Sequence, residues 1–388
     1  MIRLFINGLA ASAGGGLTYL RNVIPQLARR KDVEATVALN PALRQEFGEF
    51  SNISFADASI SGGTVGRFVR EQTMLPALIR RSGAQVLISA GNFALWRSPV
   101  PQILLSRNSL YTSNDFIRDV RTRGDYAIWS DTLVKGWLAR QSIARAEVTV
   151  APSVAFAREL TEWSGRKVVA LHHGFDREAF TRDATPLSLS VQAQLEPGKA
   201  ALRLLFVSHY NYYRNFEPLL RAVPILSRRL NGTKVRLFLT CRLDSRENPG
   251  TYRAESAASL VSELRASQEV VELGTVAYGS LHHLYRACDI YVAPAYAESF
   301  AHPLVEAMSC GLPVVASDLP VHRQICADAG VYFARFSPDE LADKILQIHE
   351  SRELAQTLSQ NGVRRAQDFS WSQHVERLGD LARELVTA

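Results

Sequence analysis

Glu298 and Glu306 stand eight positions apart in the stretch "DIYVAPAYAESFAHPLVEAMSCGLPVVAS". Ile290 to Ala293 reads as an apolar strand, Glu298 lies in the loop after it, and a helix begins near His302. Pro303 falls in the first turn, a favoured place for proline; Leu304, Ala307 and Met308 give the helix its buried face, and Gly311 stops it. The two carboxylates therefore bracket a helix N-terminus, one just before it and one about a turn inside. Backbone amides of Phe300 to Leu304 would hold a phosphate there, and Glu306 would accept hydrogen bonds from a vicinal diol such as a ribose. The alternative is a pair of solvated surface acids, against which stands the Pro-Ala-Tyr-Ala that precedes Glu298.

Paired carboxylates also suit glycoside hydrolysis, which needs separations of about 5 to 9.5 Å. Eight residues of continuous helix would place them about 12 Å apart at 1.5 Å per residue, and the phosphate-site context disfavours that chemistry. A second candidate is "GLAASAGGGLTYLRNVIPQL", where Gly14, Gly15 and Gly16 lie between a strand and a helix marked by Leu17, Leu20, Ile24 and Leu27. Glycines in such a turn let the backbone approach a ligand, and the helix start attracts anions. Tyr19 stands where a dinucleotide fingerprint needs glycine, and no Gly-Lys-Ser/Thr follows, so the motif is neither a Rossmann fingerprint nor a P-loop. A tight turn with no ligand is the plainer reading.

Both candidates need strands to carry them. Short Val-, Ile- and Leu-rich runs alternate with longer amphipathic stretches: Ile2 to Ile6, Thr36 to Leu39, Val86 to Ser89, Ile103 to Ser106, Val148 to Ala151 and Val168 to Leu171 in the first half, and Leu202 to Ser208, Val235 to Leu239, Val270 to Leu273, Ile290 to Ala293, Val314 to Ala316 and Val331 to Phe333 in the second. That is the pattern of β-α units around a parallel sheet. The chain of 388 residues fits two α/β domains, doubly wound and Rossmann-like. The expected division is 1–182 as the first domain, 183–200 ("TRDATPLSLSVQAQLEPGKA" from Thr181 on) as a linker, 201–368 as the second, and 369–388 as a final helix. Ligands in such sheets bind at the carboxyl ends of strands, which puts the expected site in the cleft between the domains.

Composition narrows the class further. With 47% hydrophobic and 21% charged residues the chain is neither disordered nor collagen-like. The net charge of +6 is lopsided: Met1 to Arg182 holds 23 basic and 15 acidic residues, net +8, and the remainder 21 and 23, net −2. Cys241, Cys288, Cys310 and Cys326 show no C-x-x-C pair and read as small core residues of a reducing compartment. Asn7 and Gly8 interrupt the apolar start, so a signal peptide is not expected, and no run reaches the length of a membrane span. A cytoplasmic protein, peripheral to a membrane at most, is the expectation.

The motif set is specific in combination. "ESFAHPLVEAMSCGLPVVAS" resembles the glutamate-x7-glutamate signature of retaining nucleotide-sugar glycosyltransferases of family 4, which have the GT-B fold of two Rossmann-like domains. The glycine loop, "VAPS" at Val150 to Ser153, "HHGFDREAF" at His172 to Phe180, "FVSHYNYYRNFEPLLRAV", "YRACDIYVAP" and "FSW" at Phe369 to Trp371 are similar to the family's other segments, so the resemblance covers nearly the whole chain. It implies that Glu306 binds ribose hydroxyls, that Glu298 sits by the donor sugar and leaving diphosphate, and that the backbone of Phe300, Ala301 and Leu304 holds the phosphates. Arg214 stands where the family has a basic residue that clamps the diphosphate, a task its planar fork suits. Gly15 and Gly16 would let the first domain close over the diphosphate, and Val276 would floor the base or serve as an ordinary core valine.

Some positions depart from the family pattern. Ser299 and Ala301 replace two glycines flanking Phe300, His209 stands where many members have arginine, and "SRNSLYTS" offers Arg107 or Asn108 where relatives have a histidine near the sugar. His173, in place of an asparagine, either shapes its loop or touches substrate. No D-x-D pair occurs, so no metal and no cofactor are expected, with the nucleoside-diphosphate sugar as donor substrate. The implied activity is retaining, metal-independent transfer to a glycan or lipid-linked glycan. A nonhydrolysing nucleotide-sugar epimerase of the same fold and a non-catalytic nucleotide-binding protein are the alternatives. The basic first half, including "FVREQTMLPALIRRSG" and "NDFIRDVRTRGDYAIWSDTLVKGWLARQ", suggests an anionic acceptor or membrane surface; it lacks the stacking aromatics of a nucleic-acid groove.

Overall fold

The computed structural model describes residues 1–11, 15–58, 63–198, 201–230, 232–248 and 252–387. The chain divides into two compact units, the first made of Met1–Thr112, Ser130–Gly174 and Ser370–Ala388, the second of Ser113–Trp129 and Phe175–Phe369.

In the first unit β1 (Ile2–Asn7), β2 (Val33–Leu39), β3 (Ile53–Asp57), β4 (Val86–Ser89), β5 (Gln102–Leu105), β6 (Val148–Ala151) and β7 (Val168–Ala170) form a parallel sheet in the order β3-β2-β1-β4-β5-β6-β7. β4 and β5 are buried at every residue, as strands covered on both faces must be. β3 is the strand that the sequence reading lacks. It pairs only with β2, and its exposed Ser54 beside buried Ile53 breaks the apolar run that marks the inner strands. The helix Gly15–Ala28 buries Leu20, Ile24 and Leu27 in a core that also takes Trp371, Val375 and Leu378 of the final helix, Trp371–Thr387.

The second unit holds β8 (Leu202–Phe206), β9 (Val235–Leu239), β10 (Val270–Glu272), β11 (Ile290–Ala293), β12 (Val314–Ser317) and β13 (Gly330–Phe333), again parallel, in the order β10-β9-β8-β11-β12-β13. Strand order reverses between β8 and β11, so the loops that leave their carboxyl ends run to opposite sides and open a crevice. The divisions expected from sequence shift: the second unit begins at Phe175 and not after Arg182, and two further differences accompany that. Residues 113–129 belong to the second unit, and the expected linker carries a helix, Leu189–Leu195, whose Val191 and Leu195 are buried along with Leu187. Ser188 caps that helix, its Oγ accepting from the Val191 N–H.

Gly174 marks a contact between backbones. A Cβ on it would lie 2.0 Å from the Trp371 nitrogen, where no side chain fits without moving main chain. Gly174→Ala is expected to cost about 2 to 3 kcal/mol of unfolding free energy, read from urea denaturation.

Candidate active site

The crevice of the second sheet is built by two loops. After β8 the chain makes a short turn, Tyr212–Arg214, and Asn215, at φ +57°, leads into the helix Phe216–Arg229. After β11 the loop passes through Tyr296 and Glu298 to the helix His302–Ser309. The strands beneath are hydrogen-bonded neighbours, Ile290 opposite Leu204 and Tyr291 opposite Leu205, which brings the loops together. The Tyr296 N–H donates to the Tyr213 carbonyl at 3.0 Å, and the Asn215 amide donates to the Pro294 carbonyl at 2.9 Å.

Arg214 Nη1 donates to Glu298 Oε2, and the Ser299 N–H donates to Glu298 Oε1 at 3.1 Å. Burial alone would raise the Glu298 carboxyl, but the Arg214 guanidinium, helped by His322 and the Ser299 amide, holds it below its ordinary range. Burial likewise opposes charge on Arg214, and the Glu298 carboxylate overcomes it, so the guanidinium is held firmly charged. Arg214 Nε is buried and has no hydrogen-bond partner among the described residues. A half-buried, charged fork with one edge on a carboxylate and an unpartnered Nε–H is a ready donor to a second anion.

Glu306 lies one turn into the next helix, 5% exposed. Tyr285 donates to its Oε2 at 2.8 Å, and Tyr278 hydrogen-bonds it as well. Among the described residues no cation faces it, and burial pushes its carboxyl up to about 7 against the pull of the two tyrosines. The motif thus holds one carboxylate ionised and the other near neutrality. Ala301, between them, adopts φ +66°, a left-handed backbone that costs a residue with a Cβ about 1 kcal/mol and that the family's usual glycine would adopt freely. Ser299 is half-buried, and Phe300 is buried against Phe369, rings 5.4 Å apart and nearly perpendicular. The Leu304 N–H donates to the Ala301 carbonyl at 3.0 Å. His209 is exposed beside the first loop, and Val276 is half-buried after β10.

The remaining candidates belong to the first unit. Gly15 opens the helix Gly15–Ala28, with nothing within 4 Å of a Cβ built on it, whereas one on Gly16 would lie 3.3 Å from the Ala11 Cα; Gly14 lies outside the described residues. Arg107 donates to the Gly15 and Ala90 carbonyls, and its guanidinium stands 4.8 Å from the Tyr19 ring centre. The Asn108 Oδ1 accepts from the Leu110 N–H. His173 is buried among Tyr19, Trp371 and His374, which favours shaping of its loop. Sequence reasoning missed Tyr285 as the partner of Glu306, although it begins the "YRACDIYVAP" segment. It also missed Tyr296, whose neighbours gave no signal. Among the described residues no group of three or more His, Cys, Asp or Glu is placed to hold a metal ion. The four cysteines are free, and Cys241, Cys288 and Cys326 are buried. No described helix is long and apolar enough to cross a membrane.

Residues 191–365 match the family described as Glycosyl transferases group 1. A D-inositol 3-phosphate glycosyltransferase of Nocardia farcinica is 26% identical over 244 residues, covering 62% of this chain and 53% of that protein. The match thus spans about half the length of such curated relatives. Sucrose-phosphate synthase from Thermosynechococcus elongatus superposes over 100% of both chains, TM-score 0.77 at 17% identity. Anabaena HepE in complex with UDP-glucose covers 99% of this chain and 100% of its own, TM-score 0.71 at 17% identity. The fold of two Rossmann-like parallel-sheet units is that of these structures.

The raised Glu306 carboxyl makes stability depend on pH. With an ordinary value of 4.5 and a folded value of about 7, the folded state holds the proton more tightly. Its contribution is complete below pH 4.5 and is lost as pH rises through 7. Glu306→Gln, always neutral, is expected to flatten that decline in urea unfolding between about pH 5 and 8.

Proposed function

We propose, from the match of residues 191–365 to the family described as Glycosyl transferases group 1, that the protein moves a sugar from a nucleoside-diphosphate sugar to a glycan or lipid-linked glycan, with retention and without a metal ion. The observation that carries this reading is Arg214, half-buried, charged, paired to Glu298 on one edge and unpartnered at Nε. A donor diphosphate is the anion that its fork fits, and as the bond from the sugar's anomeric carbon to the diphosphate breaks, Arg214 stabilises the charge growing on the leaving oxygen. The acceptor hydroxyl oxygen bonds to the same carbon on the same face, and its proton passes to the leaving phosphate oxygen. Glu306, as the carboxylate, accepts hydrogen bonds from the ribose hydroxyls, so donor affinity rises with pH through about 7.

A UDP-sugar is the first donor to try, since a protein of the same fold is known in complex with UDP-glucose. Purified protein is expected to release nucleoside diphosphate only when an acceptor is supplied. Interconversion of the donor sugar with no acceptor would favour the epimerase reading instead. Arg214→Ala and Glu306→Ala are each expected to weaken donor binding by about tenfold or more in calorimetry, from loss of a charge-assisted hydrogen bond. Wild-type affinity in both variants would sink the site assignment.

For the acceptor side, an anionic membrane surface is supported by apolar residues exposed on the first unit. Val65 and Val69 stand one helical turn apart beside Arg70, and Leu133, Val134 and Trp137 are exposed near Arg140. Within the basic stretch 114–141 read from sequence, Arg123 is taken up by ion pairs with Asp119 and Glu217. Co-sedimentation with anionic vesicles is expected, and Trp137→Glu is expected to abolish it; equal binding to neutral vesicles would remove the electrostatic part of the reading.

A further inference from the structure

Residues 113–129 lie between β5 and β6 in the chain, within the run of the first sheet, and yet they pack in the second unit. Their helix, Asn114–Thr122, is opened by Ser113, whose Oγ accepts from the Phe116 N–H at 3.2 Å. Phe116 and Val120 are fully buried. Anchorage by packing alone would stop there, but the polar face of the segment is also engaged. Arg335 donates to Asp115 Oδ2 at 3.3 Å, Tyr212 to Asp125 Oδ2 at 2.6 Å, and Tyr296 to Asp119 Oδ2 at 2.6 Å. Asp119 is itself held by Arg123, whose Nε donates to its Oδ1 at 2.8 Å.

Tyr296 is the partner that matters for chemistry. It stands two residues before Glu298, and its N–H holds the carbonyl of Tyr213, the residue before Arg214. The Phe116 ring packs edge-on against Tyr213, centres 6.2 Å apart. One side chain therefore joins the two loops by its backbone and fastens both to the helix by its hydroxyl. That hydroxyl is inside the protein, with Tyr296 only 4% exposed, where a bond to a carboxylate is among the stronger kinds. Without Asp119 the loops keep each other but lose their tether to this helix.

We infer that Asp119 is a positioning residue for the Arg214–Glu298 pair, acting through Tyr296, so that a helix encoded in the first half of the chain sets the geometry of the anion site in the second. The inference rests on the reading of Arg214 as the group that holds a diphosphate. A displacement on the order of 1 Å at such a site is enough to cost tenfold or more.

The test uses the full chain with inorganic pyrophosphate as the probe, by calorimetry, and Arg214→Ala as the floor. Tyr296→Phe and Asp119→Ala are expected to weaken pyrophosphate binding about three- to tenfold while still unfolding cooperatively above the assay temperature. Asp119→Asn, which keeps an oxygen for the Tyr296 hydroxyl, is expected to stay within about twofold of wild type. A purely structural role would lower the unfolding temperature and leave the affinity of the folded fraction alone. Wild-type affinity in Tyr296→Phe and Asp119→Ala overturns the inference. Wild-type protein that binds pyrophosphate no better than Arg214→Ala overturns the diphosphate reading first, and the inference with it.

Discussion

Placing a guanidinium and a carboxylate side by side away from water is costly, several kcal/mol for each ion before their attraction is counted. Arg214 and Glu298, 23% and 11% exposed at the side chain, meet that cost only because the surroundings are fixed. The Ser299 amide takes the second Glu298 oxygen, the Asn215 side chain donates to the Pro294 and Arg335 carbonyls, and Ser317 at the end of β12 donates to the Ala295 carbonyl. Side chains from neighbouring strands and helices thus tether the main chain of the loops on either side of the pair. Two left-handed residues stand close to the pair in the chain, Asn215 just after Arg214 and Ala301 three residues after Glu298.

The second glutamate of the motif lives by the opposite rule. Glu306 has tyrosine hydroxyls around it and, among the described residues, no cation, and its proton affinity rises where that of Glu298 falls. Two carboxyl groups whose environments push them apart are the usual sign of a division of labour. One, Glu298, is already charged and already balanced by Arg214. The other is suited to neutral hydroxyl donors and responds to pH in the physiological range.

How much of this could be read from the sequence depends on how local the signal is. The inner strands announce themselves because each must be apolar at nearly every position, and Glu298, Pro303, Glu306 and Gly311 fall within one short stretch whose turn chemistry is legible residue by residue. Arg214 is found only through the family resemblance of the segment that holds it. The helix within 183–200 also left a signal, Leu187, Val191 and Leu195 at four-residue spacing, which its prolines obscured. The bond between Asp119 and Tyr296 leaves none: the two are 177 residues apart, one in a charged helix and the other in a loop. Nothing in the composition of residues 113–129 says which sheet they serve. Phe116 and Val120 would look the same facing either.

That placement bears on how the protein comes to exist. The chain passes from one unit to the other at four points, after Thr112, Trp129, Gly174 and Phe369. During synthesis from the N-terminus, the first sheet can gather its strands early, but the Trp371 and Leu378 side chains that complete its core arrive last. The second sheet, in turn, must recover a helix made long before its own first strand. Neither unit can reach its final packing before the other has been largely translated, so the two are, as folding problems, a single one.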